Sequence, residues 1–152
     1  MKRGTMRQAQ TQLEEGTHTK KVTVFVGTAH KGGATYRAAS RFLENLESFG
    51  DVRGEIVGLS DYNIGVCRGC KACFDRGEER CPLKDDRDLL IEMMTASDGI
   101  VFASPNYTWQ VSAVMKIFLD RLAFLCHRPR FHGKTSTCIV VQGIYRGGKI
   151  VD

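Results

Sequence analysis

The chain has 152 residues, 42% of them hydrophobic and 26% charged, which bounds it to one ordinary globular domain with a real core. Its net charge of +5 is spread with no run of five like charges, so it suits anions such as nucleotides but leaves no nucleic-acid footprint. No apolar run reaches the eighteen or so residues of a membrane span and the N-terminus lacks an apolar signal core, so a cytoplasmic location with reduced thiols is expected.

Residues 1–20 are polar and aperiodic and read as a flexible N-terminal extension, with the folded domain at 21–152. The domain opens at "KKVTVFVG", where Val22, Val24 and Val26 alternate with Thr23 and Phe25 as in a strand buried on both faces. "GTAHKGGAT" leads from it into a helix carrying Tyr36, Ala39, Leu43 and Leu46, closed by Gly50. A short strand, "EIVGLS", precedes the cysteine-rich stretch. Asp85 or Asp86 then caps a helix with Leu89, Leu90, Met93 and Met94 on one face. "DGIVFAS" is a buried strand over Ile100–Ala103, which Pro105 ends. A long helix follows, with Val111, Val114, Met115, Phe118, Leu119 and Leu122 on its stripe, and "KTSTCIVVQG" is the fourth strand. Strands alternating with helices predict an α/β fold with a parallel sheet covered on both faces.

In open parallel sheets ligands bind beyond the carboxyl ends of the strands. The first such end supplies Gly27, Gly32 and Gly33 for turns, with Thr28 and Thr35 hydroxyls beside a helix N-terminus; backbone amides and the helix dipole make this an anion site. It is neither a Walker loop nor a G-x-G-x-x-G turn. The third end offers Pro105, Asn106, Tyr107 and Trp109, groups that suit the faces and edge of a flat ring. Gly143, after the fourth strand, brings a backbone amide towards the same rim. Each feature also has a plain structural reading as a turn or as the closure of the core.

Cys67, Cys70, Cys73 and Cys81 stand as Cys-x2-Cys-x2-Cys-x7-Cys in a glycine-punctuated, charged loop. Three thiols at x2 spacing and a more distant fourth followed by proline match the ligand pattern of a [4Fe–4S] cluster. Zinc sites more often separate two Cys-x2-Cys pairs by a longer gap. A loop of free thiols without metal is the remaining alternative, and reduced surroundings weigh against disulfides. Cys126 and Cys138 read as core residues, and His127 and His132 as solvated.

Taken in this order, "GTAHKGGAT", "CRGCKAC…CPLKDD", "SPNY" and "VMKIFLDR" resemble the NADPH-dependent FMN reductase group of flavodoxin-like proteins, and most of all its iron–sulfur flavoprotein branch. The resemblance covers about residues 21–150 and implies a flavodoxin-like three-layer sandwich. It implies FMN bound at the first strand's end and reduced by NAD(P)H. Thr28, His30 and Thr35, with Gly33 and Ala34 between them, fall where the family holds the FMN phosphate. Pro105, Asn106, Tyr107 and Trp109 fall where it cradles the isoalloxazine, within reach of Gly143.

Two departures stand out. His30 occupies a position where the family often has Arg, and Ala34 one where it often has Asn; Lys31 is then expected to compensate as a point charge. The family's fold also continues through another helix and a fifth strand, which are not expected within these 152 residues. The fourth strand should therefore be an uncovered edge that recruits a second copy, or a longer chain's remainder.

The expected function is an FMN-dependent oxidoreductase taking hydride from NAD(P)H and passing electrons to an unidentified acceptor. The cysteine loop, placed beside the flavin rim, is its expected relay. No acid–base residue is required, because the cofactor performs the chemistry. A non-enzymatic flavodoxin-type electron carrier and a metal-knuckle binding module without flavin are the alternatives.

Overall fold

A computed structural model describes residues 19–143, so the 1–18 portion of the expected extension and residues 144–152 lie outside the described residues. The chain runs β1 (Lys20–Val26), α1 (Ala34–Ser48), β2 (Val52–Gly58), the cysteine loop with a single helical turn α2 (Ala72–Asp75), α3 (Arg87–Thr95), β3 (Gly99–Tyr107), β4 (Gln110–Val111), α4 (Ala113–Arg121) and β5 (Thr135–Val141). The four long strands form one parallel sheet in the order β2–β1–β3–β5, with β4 folded back antiparallel on the end of β3. Strand order reverses direction beside β1, which places a switch-point crevice at the carboxyl ends of β1 and β3.

The apolar run of β1 is continuous because both its faces are covered: Thr23, Val24, Phe25 and Val26 are all fully buried. Val24 and Val26 meet Ala39 and Leu43 of α1 together with Val101 and Ala103 of β3. On the opposite face Phe25 packs with Leu90 and Met94 of α3 and with Met115 and Phe118 of α4. The Thr23 hydroxyl, inside that face, is satisfied by Ser97 Oγ at 2.6 Å. Gly27 is required where β1 ends, since a Cβ there would stand 2.5 Å from Met115 Cβ. α4 therefore approaches the strand end at backbone distance.

Several elements differ from expectation. β2 starts earlier, at Val52, and stops at Gly58, after which Leu59–Asp61 form a 3-10 turn. Pro105 does not end β3, which runs to Tyr107. β1 pairs with β3 only as far as Val26–Ala103, so the missing proline N–H breaks no ladder on that side. Val111 belongs to β4 rather than to the following helix, because Ser112 is the N-cap and accepts the Met115 N–H at 3.1 Å. The buried face of α3 is Leu90, Ile91 and Met94 with Arg87, while Leu89 is 44% exposed. α1 closes on Phe49 in the right-handed region, without a left-handed turn at Gly50. Cys126 and Cys138 are both exposed rather than core. Cys138 lies on β5, which pairs only with β3 among the described residues. No helix among the described residues is long and apolar enough to cross a membrane.

Candidate functional site

Three strand ends meet at one rim, with those of β1 and β3 joined through two hydroxyls. Ser112 Oγ, at the start of α4, donates to the Gly27 carbonyl just past β1. Ser104 Oγ in β3 accepts the Ser112 N–H at 3.0 Å and donates to Pro105 O at 3.0 Å. Just past β5, Gln142 Oε1 accepts a hydrogen bond from Asn106 Nδ2 at 2.8 Å. Gly143, beside it, is exposed, with open space where a Cβ would stand. The rest of the glycine-rich segment after it lies outside the described residues.

At the first strand end, Thr28 and Thr35 are buried while His30 and Ala34 are exposed. Thr28 Oγ1 accepts the His30 N–H at 3.2 Å, and Gly33 N–H donates to His30 O at 3.0 Å, so the loop curls over itself. Gly33 is the N-cap of α1 and offers no side-chain cap. The amides of Ala34, Thr35 and Tyr36 have no intrahelical acceptor in the first turn, and that turn carries no acidic residue. The positive end of a fifteen-residue helix is thus left open beside two hydroxyls, a setting for a phosphate. Lys31 does not serve as a free point charge there. Its ammonium pairs with Asp61 Oδ1 at 2.7 Å, and that hydrogen bond and charge raise its pKa. Arg37, which sequence reading passed over, straps the loop by donating to Gly32 O at 2.7 Å.

At the third strand end, Pro105 is buried and Asn106 half-buried. Tyr107 and Trp109 are 60% and 49% exposed, at the tip of the β3–β4 hairpin. Thr108 and Trp109 hold φ of 54° and 64°, the pair of left-handed residues a two-residue hairpin needs and normally fills with Asn-Gly. Asn106 Oδ1 is buried and has no hydrogen-bond partner among the described residues. A buried lone carbonyl at a ligand rim is an acceptor awaiting a donor. That orphaned oxygen, with the open helix terminus, fits a flavin phosphate at one end of the rim and a ring N–H at the other.

The cysteine loop is built elsewhere. Cys67, Cys70, Cys73 and Cys81 all line one cavity of about 340 Å³, walled by Phe74, Leu83, Phe124 and Arg121. It sits against the C-terminal end of α4, whereas the rim sits at its N-terminal end. The two ends of α4 are eight residue steps apart, about 12 Å of axis at 1.5 Å per residue. Two arginines that the sequence did not single out attach it. Arg87 donates to Glu78 O at 2.8 Å and lies over the Phe124 ring. Arg121 donates to Gly65 O at 2.9 Å, is bidentate to Asp85, and reaches Cys81 Sγ at 3.6 Å. Burial pushes the Asp85 carboxyl up, but hydrogen bonds from Arg121 and from the Gly65 and Arg87 amides, with the Arg121 charge, hold it below the usual carboxylate range. One signal for Arg121 was available: it stands three residues after Phe118, on the buried stripe.

All six cysteines are free. The loop's four thiols match a cubane cluster in kind and number. Their arrangement is open, since among the described residues no three His, Cys, Asp or Glu side chains gather into a metal-holding group.

Residues 20–152 match the family model described as NADPH-dependent FMN reductase. An iron–sulfur flavoprotein of Archaeoglobus fulgidus is 36% identical over 121 residues, covering 80% of this chain and 54% of that protein. One from Clostridioides difficile is 29% identical over 132 residues, covering 86% of this chain and 57% of its own length. The chain thus spans little more than half of these relatives. Among solved structures, RosB with a bound riboflavin-phosphate intermediate superposes with a TM-score of 0.68 at 12% identity, covering 87% of this chain and 56% of that one. An azoreductase from Bacillus anthracis gives 0.65 at 13%, covering 86% and 74%. At such identities the superpositions show a shared flavodoxin-like fold.

Proposed function

This chain belongs to the NADPH-dependent FMN reductase family, and from that premise we propose that it is an FMN-dependent oxidoreductase, taking hydride from NAD(P)H and passing electrons to an acceptor. The observation that carries the reading is the uncapped N-terminus of α1, with the buried Thr28 and Thr35 beside it, at the carboxyl end of β1. The α1 amides and both hydroxyls hold the phosphate. Asn106 Oδ1 accepts a hydrogen bond from the ring edge, and Pro105, Tyr107 and Trp109 flank the ring. Bound FMN supplies the redox chemistry; the chain supplies position and a partly dry rim.

The cysteine loop is proposed as the site of a [4Fe–4S] cluster on the chemistry of its donors: four free thiols on one cavity, one of them facing a buried guanidinium. The naming of the A. fulgidus and C. difficile relatives as iron–sulfur flavoproteins supports the same reading.

The test is steady-state consumption of NADPH and NADH by FMN-loaded protein with an artificial acceptor. Turnover above that of free FMN is expected. Tight flavin binding without turnover would favour the non-enzymatic electron carrier.

A further inference from the structure

Arg121 ends α4 with its side chain 2% exposed, and Asp85 opposite it is 7% exposed. The guanidinium donates to Gly65 O, to both Asp85 oxygens and towards Cys81 Sγ, while Asp85 Oδ2 accepts the Gly65 N–H at 2.9 Å. One buried ion pair therefore grips the cysteine loop both where it leaves, at Gly65, and where it returns, at Cys81 and Asp85. Between those grips the thiols fall into two classes. Cys67 and Cys70 are exposed, whereas Cys73 and Cys81 are half-buried. The backbone between the exposed pair turns through Gly69 at φ 63°.

We infer that Arg121, held by Asp85, is the positioning residue of the cysteine loop: it fixes the Cys81 sulfur as the preset ligand, towards which Cys67 and Cys70 close when iron and sulfide are taken up. The inference rests on the proposed cluster site, and it accounts for four suitable thiols standing in an open arrangement. Only a guanidinium can face a carboxylate with two N–H groups and still direct others at a carbonyl and a sulfur. A charge-assisted hydrogen bond to a ligand sulfur favours the more negative, reduced state of a cluster, so Arg121 also sets its potential.

The test uses the 152-residue chain reconstituted anaerobically with equal amounts of ferrous and ferric iron and with sulfide, which together make the oxidised cluster core without an outside oxidant, as wild type and as Arg121→Lys. Iron content is measured, with the midpoint potential from a redox titration followed by electron paramagnetic resonance. Wild type should take up about four irons per chain. In the variant the reduced-to-oxidised ratio at a fixed potential should fall about tenfold, which is about 59 mV for a one-electron couple. A merely structural role would reduce the iron content and leave the potential of the remaining clusters in place; that result overturns the inference alone. A wild type that takes up no iron overturns the cluster site and this inference with it. Should Arg121→Lys fail to fold, Arg121→Met with Asp85→Asn removes both buried charges together, and the same fall in potential is expected.

Discussion

In the proposed site Thr28 and Thr35 take the phosphate, and both are buried, on either side of the turn that leads into α1. Each hydroxyl facing a phosphate dianion contributes roughly 1.5–3 kcal/mol. Thr28→Ala with Thr35→Ala should therefore weaken FMN binding at least tenfold while the circular-dichroism spectrum stays that of wild type; an unchanged dissociation constant removes this loop from the site. Asp85 makes a second prediction. Its folded pKa lies below the ordinary carboxylate value, so its pairing with Arg121 stabilises the fold fully above about pH 4 and loses that contribution as pH falls through the depressed value. Asp85→Asn leaves Arg121 as an unpaired buried charge and should cost about 3–5 kcal/mol at pH 7. In urea unfolding at successively lower pH the gap between variant and wild type should close below pH 4. A gap that stays constant to pH 2.5 would show that the carboxylate charge is not what holds the two ends of the cysteine loop.

At the scale of elements, the β3–β4 hairpin puts a β-branched residue and an indole in the left-handed region, where each L-residue costs about 1–2 kcal/mol. Thr108→Gly relieves that cost against a loss of about 0.5–1 kcal/mol in chain entropy. A net gain of about 0.5–1 kcal/mol is expected, read as a higher urea midpoint. A lower midpoint would mean that the threonine side chain contributes more than its backbone costs. This hairpin was invisible in the sequence. β4 has two residues, too few to show a period, and Thr108-Trp109 lacks the usual turn chemistry. β1 and the first half of β3 were legible because burial on both faces leaves an uninterrupted apolar run. The extension of β3 past Pro105 was not, since it depends on where the neighbouring strand stops. The rim residues could be found because glycine, proline and asparagine mark strand ends. The hydroxyl clamp and the Arg121–Asp85 pair could not, as their partners lie 85 and 36 residues apart. Cys138 was misjudged from the average burial of cysteine, which an outer strand overrides.

Across the whole molecule, β5 pairs on one side only among the described residues, and its Ile139–Val141 end is half-buried. An edge of this kind is a template for another strand. Light scattering of the purified chain should give a mass above that of one copy, and a stable soluble monomer would contradict the expected association. The bond from Ser112 Oγ to Gly27 O has a consequence in time. It closes a span of 85 residues, and contacts so distant in sequence carry a large loop-closure cost that slows their formation. The rim therefore does not exist in any fragment that stops before α4, however well β1, α1 and β2 have folded. On a ribosome, the proposed flavin pocket is completed only once α4 has emerged, so capture of flavin there is expected to be a late event and a marker that the sheet and α4 have come together.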